Sequence, residues 1–209
     1  MLMRLTPTLW LRSRWRWRRP RPGETVLVLR APSVFPPGHP TTRLCLALLS
    51  ERLAEPDAAG PLLDVGCGSG VLMLAAAGLG VDRAVGVDLD PRAVQGSRDN
   101  ARRNGLAGHM LLIQGSTECL RGSFPLVAAN LPWEVQRLKV GELIRLAAAH
   151  GAIILSGFKD TQEDALARQY EDAGWNIVRR LTRDEWGIEM PPEKSFTWVG
   201  WRLERQPEG

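Results

Sequence analysis

Leu62-Leu-Asp-Val-Gly-Cys-Gly-Ser-Gly70 joins a short apolar run to a glycine-rich turn. Leu62 to Val65 reads as a buried strand, and Gly66-x-Gly68-x-Gly70 lets the backbone approach a ligand at the strand's carboxyl end before a helix begins. A dinucleotide fingerprint spaces its glycines G-x-G-x-x-G and aims the helix N-terminus at a pyrophosphate. This loop is one residue tighter, and Asp64 stands just before it. A carboxylate there repels phosphate and suits a cationic ligand. Asp88 ends the next apolar run, 18 residues after Gly70, where it can accept both ribose hydroxyls. A nucleoside with a sulfonium and an amino group suits these two acids better than NAD does, which points to S-adenosylmethionine as cofactor. The alternative is a plain strand–helix turn of some other α/β protein.

Outward from this loop, apolar runs alternate with helical stretches. The runs are Leu62–Val65, Ala84–Val87, Leu111–Ile113, Leu126–Ala129, Ala152–Leu155 and Asn176–Val178. Helices are expected at roughly 71–79, 91–104, 134–149 and 161–173. Such alternation specifies a parallel sheet with helices on both faces, an α/β fold. Ser195 to Leu203 reads as one long strand containing Trp198 and Trp201, after Pro191-Pro192, and is expected to close the edge as an antiparallel hairpin. Upstream, Thr25 to Leu29 is a short apolar run, and a helix starts near Thr41 or Thr42, either of which can cap it after Pro40. Residues 1–40 are read as a basic extension with short strands, and 41–209 as the main domain.

The composition excludes several classes. At 44% hydrophobic and 24% charged the 209 residues are neither disordered nor coiled coil. No apolar run approaches the ~20 residues of a membrane span. Cys45, Cys67 and Cys119, odd in number and far apart, make neither a disulfide framework nor a zinc knuckle, and the expected compartment is the reducing cytoplasm. The net charge of +4 is uneven. Residues 1–30 hold eight arginines against Glu24, a net of +7, so the rest of the chain carries −3. That body gives no reason to expect a nucleic-acid groove. In the head, Ser13 to Arg18 alternates arginines with Trp15 and Trp17, a period of two that suits a strand with its tryptophans on one face. Contact of residues 10–21 with RNA or a ribosome is the second reading, and a transit or export signal the third.

Asn130-Leu-Pro-Trp133 follows the fourth apolar run. Pro132 biases Leu131 to an extended conformation. The Leu131 carbonyl and the Asn130 side chain can then act as two acceptors that aim an amine's lone pair at a methyl carbon. For such an in-line displacement an enzyme contributes mainly proximity and orientation. The bland alternative is a strand-to-loop turn with Trp133 in the core. Phe35-Pro-Pro-Gly-His-Pro-Thr-Thr42 is chemically weaker, a proline-rich loop before a capped helix, whose hydroxyls and N–H groups can hold a carboxylate.

His39-Pro-Thr-Thr-Arg-Leu-Cys-Leu46, Leu63-Asp-Val-Gly-Cys-Gly-Ser-Gly70, Gly86-Val-Asp-Leu-Asp-Pro91, Ser97-Arg-Asp-Asn-Ala-Arg-Arg-Asn-Gly105, Ala128-Ala-Asn-Leu131, Ser156-Gly157 and Glu185-Trp186 stand in this order. In order and spacing they resemble the ribosomal protein L11 methyltransferase family, over roughly residues 24–190 and more loosely Leu5 to Trp10. The resemblance implies a Rossmann-like class I methyltransferase fold, with a seven-stranded, mostly parallel sheet and an antiparallel C-terminal hairpin. It also implies S-adenosylmethionine-dependent methylation of lysine or α-amino groups on a ribosomal protein. By resemblance Thr42, Gly66, Asp88 and Asn130 fall on cofactor-binding positions, with Asp64, Gly68 and Gly70 in the same loop and His39 and Ser116 counted with them. Asn130, Leu131, Pro132 and Trp133 are the expected catalytic set.

The chain departs from the family in three places. It is expected to start after the point where the family's N-terminal recognition domain ends. Pro36-Pro37-Gly38 stands where the family reads like Gly-Thr-Gly. Pro132-Trp133 after Leu131 looks like the amine-binding tetrapeptide of DNA, RNA and glutamine N-methyltransferases, and Pro125 replaces an acidic residue before that strand. Two alternatives follow: a nucleic-acid base N-methyltransferase with Trp133 stacked on a flipped base, and a non-catalytic, ribosome-associated cofactor-binding module.

Overall fold

The protein is seen as a computed structural model that describes residues 2–13, 19–30, 36, 38–58, 60–187 and 191–205. Three short strands come first: β1 (Leu2–Arg4), β2 (Leu9–Ser13) and β3 (Thr25–Leu29). There follow α1 (Pro40–Leu53), β4 (Leu62–Val65), α2 (Val71–Gly78), β5 (Ala84–Asp88), α3 (Pro91–Arg103), β6 (Met110–Gln114) and β7 (Phe124–Asn130). The chain ends with α4 (Trp133–Leu146), β8 (Ala147–Lys159), α5 (Glu163–Glu171), β9 (Trp175–Asp184) and β10 (Thr197–Arg205).

The main sheet has seven strands in the order β6-β5-β4-β7-β8-β10-β9, all parallel except β10, which runs antiparallel to both its neighbours. This is the expected class I arrangement. Side-chain alternation along the buried strands feeds two cores. Leu62, Leu126, Ala128, Ala152 and Ile154 pack with Leu46, Leu48 and Leu49 of α1 and with α2, while Leu63, Val127, Ile153 and Leu155 pack with Leu143 of α4 and Leu166 and Tyr170 of α5. Each such buried Leu contributes about 1.5–3 kcal/mol. The strand order reverses between β4 and β7, and the crevice at their carboxyl ends is where an open α/β sheet binds its ligand.

β1, β2 and β3 form a separate small sheet, antiparallel between β1 and β2 and parallel between β2 and β3. Leu9, Leu11, Leu27 and Leu29 are buried in the core beside α2. The free edge of β3 is completed by a helix. Asn104 accepts from the Val28 N–H (2.7 Å) and donates to its carbonyl (2.9 Å), and Asn100 does the same with Arg30 (2.9 and 3.1 Å). Four helical residues rise about as far as two strand residues, so two carboxamides one turn apart can match alternate peptides.

Some expectations shift. The strand of the basic head lies at Leu9–Ser13, and the Arg/Trp alternation beyond Ser13 falls outside the described residues. Neither Thr41 nor Thr42 caps α1. His39 does, its Nδ1 accepting from the Thr41 N–H at 3.3 Å, with Pro40 in the first turn. The helix expected to reach 149 ends at Leu146, because Ala147 already pairs with Phe124 of β7.

Candidate active site

The glycine loop turns away from β4 with Gly66, Gly68 and Gly70 all in the left-handed region, at φ of 72°, 53° and 72°. The Gly70 conformation also brings the loop against Ser97, whose hydroxyl donates to the Gly68 carbonyl at 2.9 Å. Asn100 donates to the Ser69 carbonyl at 3.0 Å. Ser97 and Asn100 of α3 thus set the loop's shape. From the end of β5, Asp88 accepts from the Gly68 N–H and, through its other oxygen, from the Asp90 N–H, each at 2.9 Å.

Asp64 is 1% exposed, and its Oδ2 is enclosed with no hydrogen-bond partner. Burial, reinforced by the Asp88 charge, pushes its carboxyl pKa up to about 7. A buried acceptor of this kind is costly unless a donor or cation comes to it. The residues therefore fit a ligand that presents an ammonium group to the floor of the cleft.

Asn130 ends β7, and its Nδ2 donates to the Thr42 hydroxyl at 3.3 Å, tying the strand to α1. The next residues are held by two close approaches. The Leu131 side chain lies against Gly66, where an added Cβ would meet its Cδ2 at 2.4 Å. The Leu131 peptide lies against Gly157, where a Cβ would sit 1.9 Å from the carbonyl oxygen. Gly157 also has φ 111°, a conformation that L residues rarely adopt. Beneath this loop the buried Gln136 of α4 donates to the Ala129 and Ser156 carbonyls at 2.9 Å each, fastening β7 to β8. Pro132 is exposed and precedes α4, while Trp133 is half-buried, packs on the second core and also lines the cleft.

These groups surround one cleft of about 500 Å³. His39, Thr42, Asp64, Gly66, Gly68, Asp88, Ser116, Asn130, Leu131, Pro132 and Trp133 all line it, and Gly70 sits just behind, at the start of α2. The structure thus brings the sequence-derived residues together. It adds four that sequence reasoning had not singled out as functional: Lys139, Gly157, Lys159 and Trp198. Lys139 donates to Ser116 (3.0 Å) and Thr117 (3.3 Å) and pairs with Glu118, whose carboxyl it draws down to about 2. Trp198 donates its indole N–H to Glu185 at 2.8 Å and stacks edge-on against His39, with ring centres 5.0 Å apart. Burial lowers the His39 pKa, against the pull of Glu185. Two of these additions carried a sequence signal: Gly157 stands in the Ser156-Gly157 pair that contributes to the resemblance, and Lys159 is a charge at the end of a largely apolar run.

Comparison with known proteins adds to this geometry. The ribosomal protein L11 methyltransferase family model matches residues 3–190. Similar relatives include the ribosomal protein L11 methyltransferases of Syntrophotalea carbinolica, 36% identical over 88% of this chain, and of Sorangium cellulosum, 40% identical over 87%. The chain spans 61% and 57% of their lengths. Among solved structures, ribosomal protein L11 methylase from Lactobacillus delbrueckii subsp. bulgaricus superimposes with a TM-score of 0.80 at 23% identity, covering 99% of this chain and 98% of that one. A tRNA methyltransferase from M. jannaschii shares the fold at 0.63 and 12% identity, over 79% of this chain and 50% of its own.

Proposed function

Since the chain belongs to the ribosomal protein L11 methyltransferase family, we propose that it is an S-adenosylmethionine-dependent N-methyltransferase acting on lysine or α-amino groups of a ribosomal protein, L11 foremost, in the cytoplasm. The observation that carries this reading is the enclosed Asp64 Oδ2, without a hydrogen-bond partner, in the cleft that Asp88 and Asn130 also line at the strand-order reversal.

The cofactor supplies, when bound, a methyl group made electrophilic by a sulfonium. The chain's residues do the rest. Asp64 holds the ligand's ammonium, and Asp88 accepts ribose hydroxyls while keeping its own bonds to the loop. Gly66, Gly68 and Gly70 let the backbone approach the nucleoside, and Ser116 borders it beyond β6. Thr42 fixes Asn130 from behind, leaving the Asn130 Oδ1 to accept an N–H of the acceptor amine. The Leu131 carbonyl is the second acceptor, with Pro132 and Trp133 as the wall of the acceptor channel. Orienting a lone pair in this way is the main catalytic device, since no strong base is required once the amine arrives neutral.

The test is incubation of the purified protein with methyl-labelled donor, purified L11 and ribosomal RNA. Label in L11, with a matching gain in its intact mass, is expected. Label in RNA alone would favour base methylation, the reading that Trp133 in the cleft keeps in play. Binding of donor without transfer to either would leave a non-catalytic module.

We also propose that residues 10–21 contact RNA or the ribosome, supported by the exposed Arg19 and Arg21 and by the +7 head. Deleting the head is not a clean test, because Leu9 and Leu11 are core residues. The double variant Arg19→Glu, Arg21→Glu should instead weaken RNA binding and flatten its salt dependence. An unchanged salt slope would remove this contact.

A further inference from the structure

Lys159 ends β8, next to the strand that carries Asn130, and is only 3% exposed. Among the described residues its ammonium donates no hydrogen bond and makes no ion pair. Its close partner is the Trp198 ring, whose centre lies 3.5 Å from Nζ. The carboxylates of Glu185, Glu193, Asp160 and Asp184 act on it from farther away, and burial outweighs them in depressing its pKa. No described protein group uses its N–H donors, so an anion entering the cleft can accept from them.

Lys159 lines the same cleft as His39, Thr41 and Thr42. The last three open α1, a 14-residue helix with no acid in its first turn, and helix N-termini favour negative charge. Against this corner stands Asp64, the enclosed acid on the cleft floor. The cleft therefore offers one buried acid and one buried cation, with Glu134 and Glu193 also on its lining, and an α-amino acid group presents the complementary pair.

We infer that Lys159 and the start of α1 form a carboxylate-binding corner of the site. The inference rests on the methyltransferase reading and assigns a residue to one part of the ligand. The carboxylate has two possible sources: the amino-acid end of the methyl donor, whose ammonium then meets Asp64, or a carboxylate beside the amine of the protein acceptor.

Isothermal titration of wild type, K159M, K159Q and K159R separates these sources. The probes are S-adenosylhomocysteine, its methyl ester and methylthioadenosine, which has no amino-acid end. If the donor supplies the carboxylate, K159M and K159Q lose about tenfold or more in S-adenosylhomocysteine affinity, the usual loss for a charged hydrogen bond. Methylthioadenosine binding is then unchanged, K159R retains most of the affinity, and the methyl ester binds wild type as poorly as the acid binds K159M. If the acceptor supplies it, nucleoside binding is unchanged, while KM for L11 rises about tenfold in K159M and K159Q and recovers in K159R. The inference is overturned if neither quantity moves, or if S-adenosylhomocysteine and methylthioadenosine weaken together, which marks a structural disturbance. Should K159M not fold, K159Q and the methyl ester on wild type decide. Wild type binding neither nucleoside would overturn the methyltransferase reading itself, and this corner with it.

Discussion

Replacing Asp64 by Asn is expected to stabilise the ligand-free protein above neutral pH and to abolish donor binding. In the folded chain the Asp64 carboxyl keeps its proton up to about pH 7, against an ordinary value of 3.8, because it is buried beside Asp88. Between these two values the folded state binds more protons than the unfolded one, so stability falls as pH rises through the window and stays lost above it. A shift of about three units corresponds to about 4 kcal/mol at most. Asn carries no charge and escapes that loss, but its carboxamide must satisfy the enclosed Oδ2 position, at about 1–3 kcal/mol. The variant should thus be more stable than wild type by about 1–3 kcal/mol at about pH 8, and less stable by about 0.5–2.5 kcal/mol at about pH 4. Urea unfolding of both proteins at the two pH values measures this. A second arm adds S-adenosylhomocysteine. At a hundred times its Kd it should stabilise wild type by about 2.7 kcal/mol and the variant by almost nothing. A stability difference that does not change with pH, or equal stabilisation by the ligand, would refute the assignment of a strained, ligand-seeking carboxylate.

Four further outcomes follow from the same geometry. Asp88→Ala should weaken nucleoside binding by about 1–3 kcal/mol in calorimetry, since it removes a charged acceptor and also the bond that orders Gly68. Asn130→Ala should depress kcat far more than acceptor affinity, and equal losses in both would mark a merely structural turn. Gly157→Ala places a Cβ 1.9 Å from the Leu131 oxygen at a φ of 111°, so about 1–3 kcal/mol of stability and about 100-fold in kcat should be lost, read by thermal unfolding and by transfer assays. Asn104→Ala strips both partners from the Val28 peptide and should cost about 1–3 kcal/mol, with faster amide exchange along β3 and unchanged nucleoside affinity.

The glycine loop, its two acids and Asn130 were legible because each sits at the end of a local apolar run, and the sheet's parallel order makes those ends converge. What was not legible depends on distant pairing. Ala147-Ala-Ala-His150 is helix-favouring by intrinsic propensity, yet the ladder with β7 turns it into strand. The insertion of β10 between β8 and β9 joins residues far apart in the chain, and no local pattern announces it. Gln136 and Lys139 look like ordinary polar helix positions. Only the packing of α4 buries the first beneath two strand ends and brings the second to Ser116. Pro40 did mark the start of α1, but the cap fell two residues before Thr41, because the His39 ring reaches forward to the Thr41 amide.

Asn100 has a consequence beyond finishing a strand edge. One carboxamide grips the Arg30 backbone and the Ser69 carbonyl at once. The small N-terminal sheet and the glycine loop therefore share one side chain as a direct polar link, beside the apolar packing of that sheet on α2. A displacement of the small sheet is thus felt at the Ser69 carbonyl of the glycine loop by way of the Asn100 amide, and a loop held firm keeps the end of β3 in register.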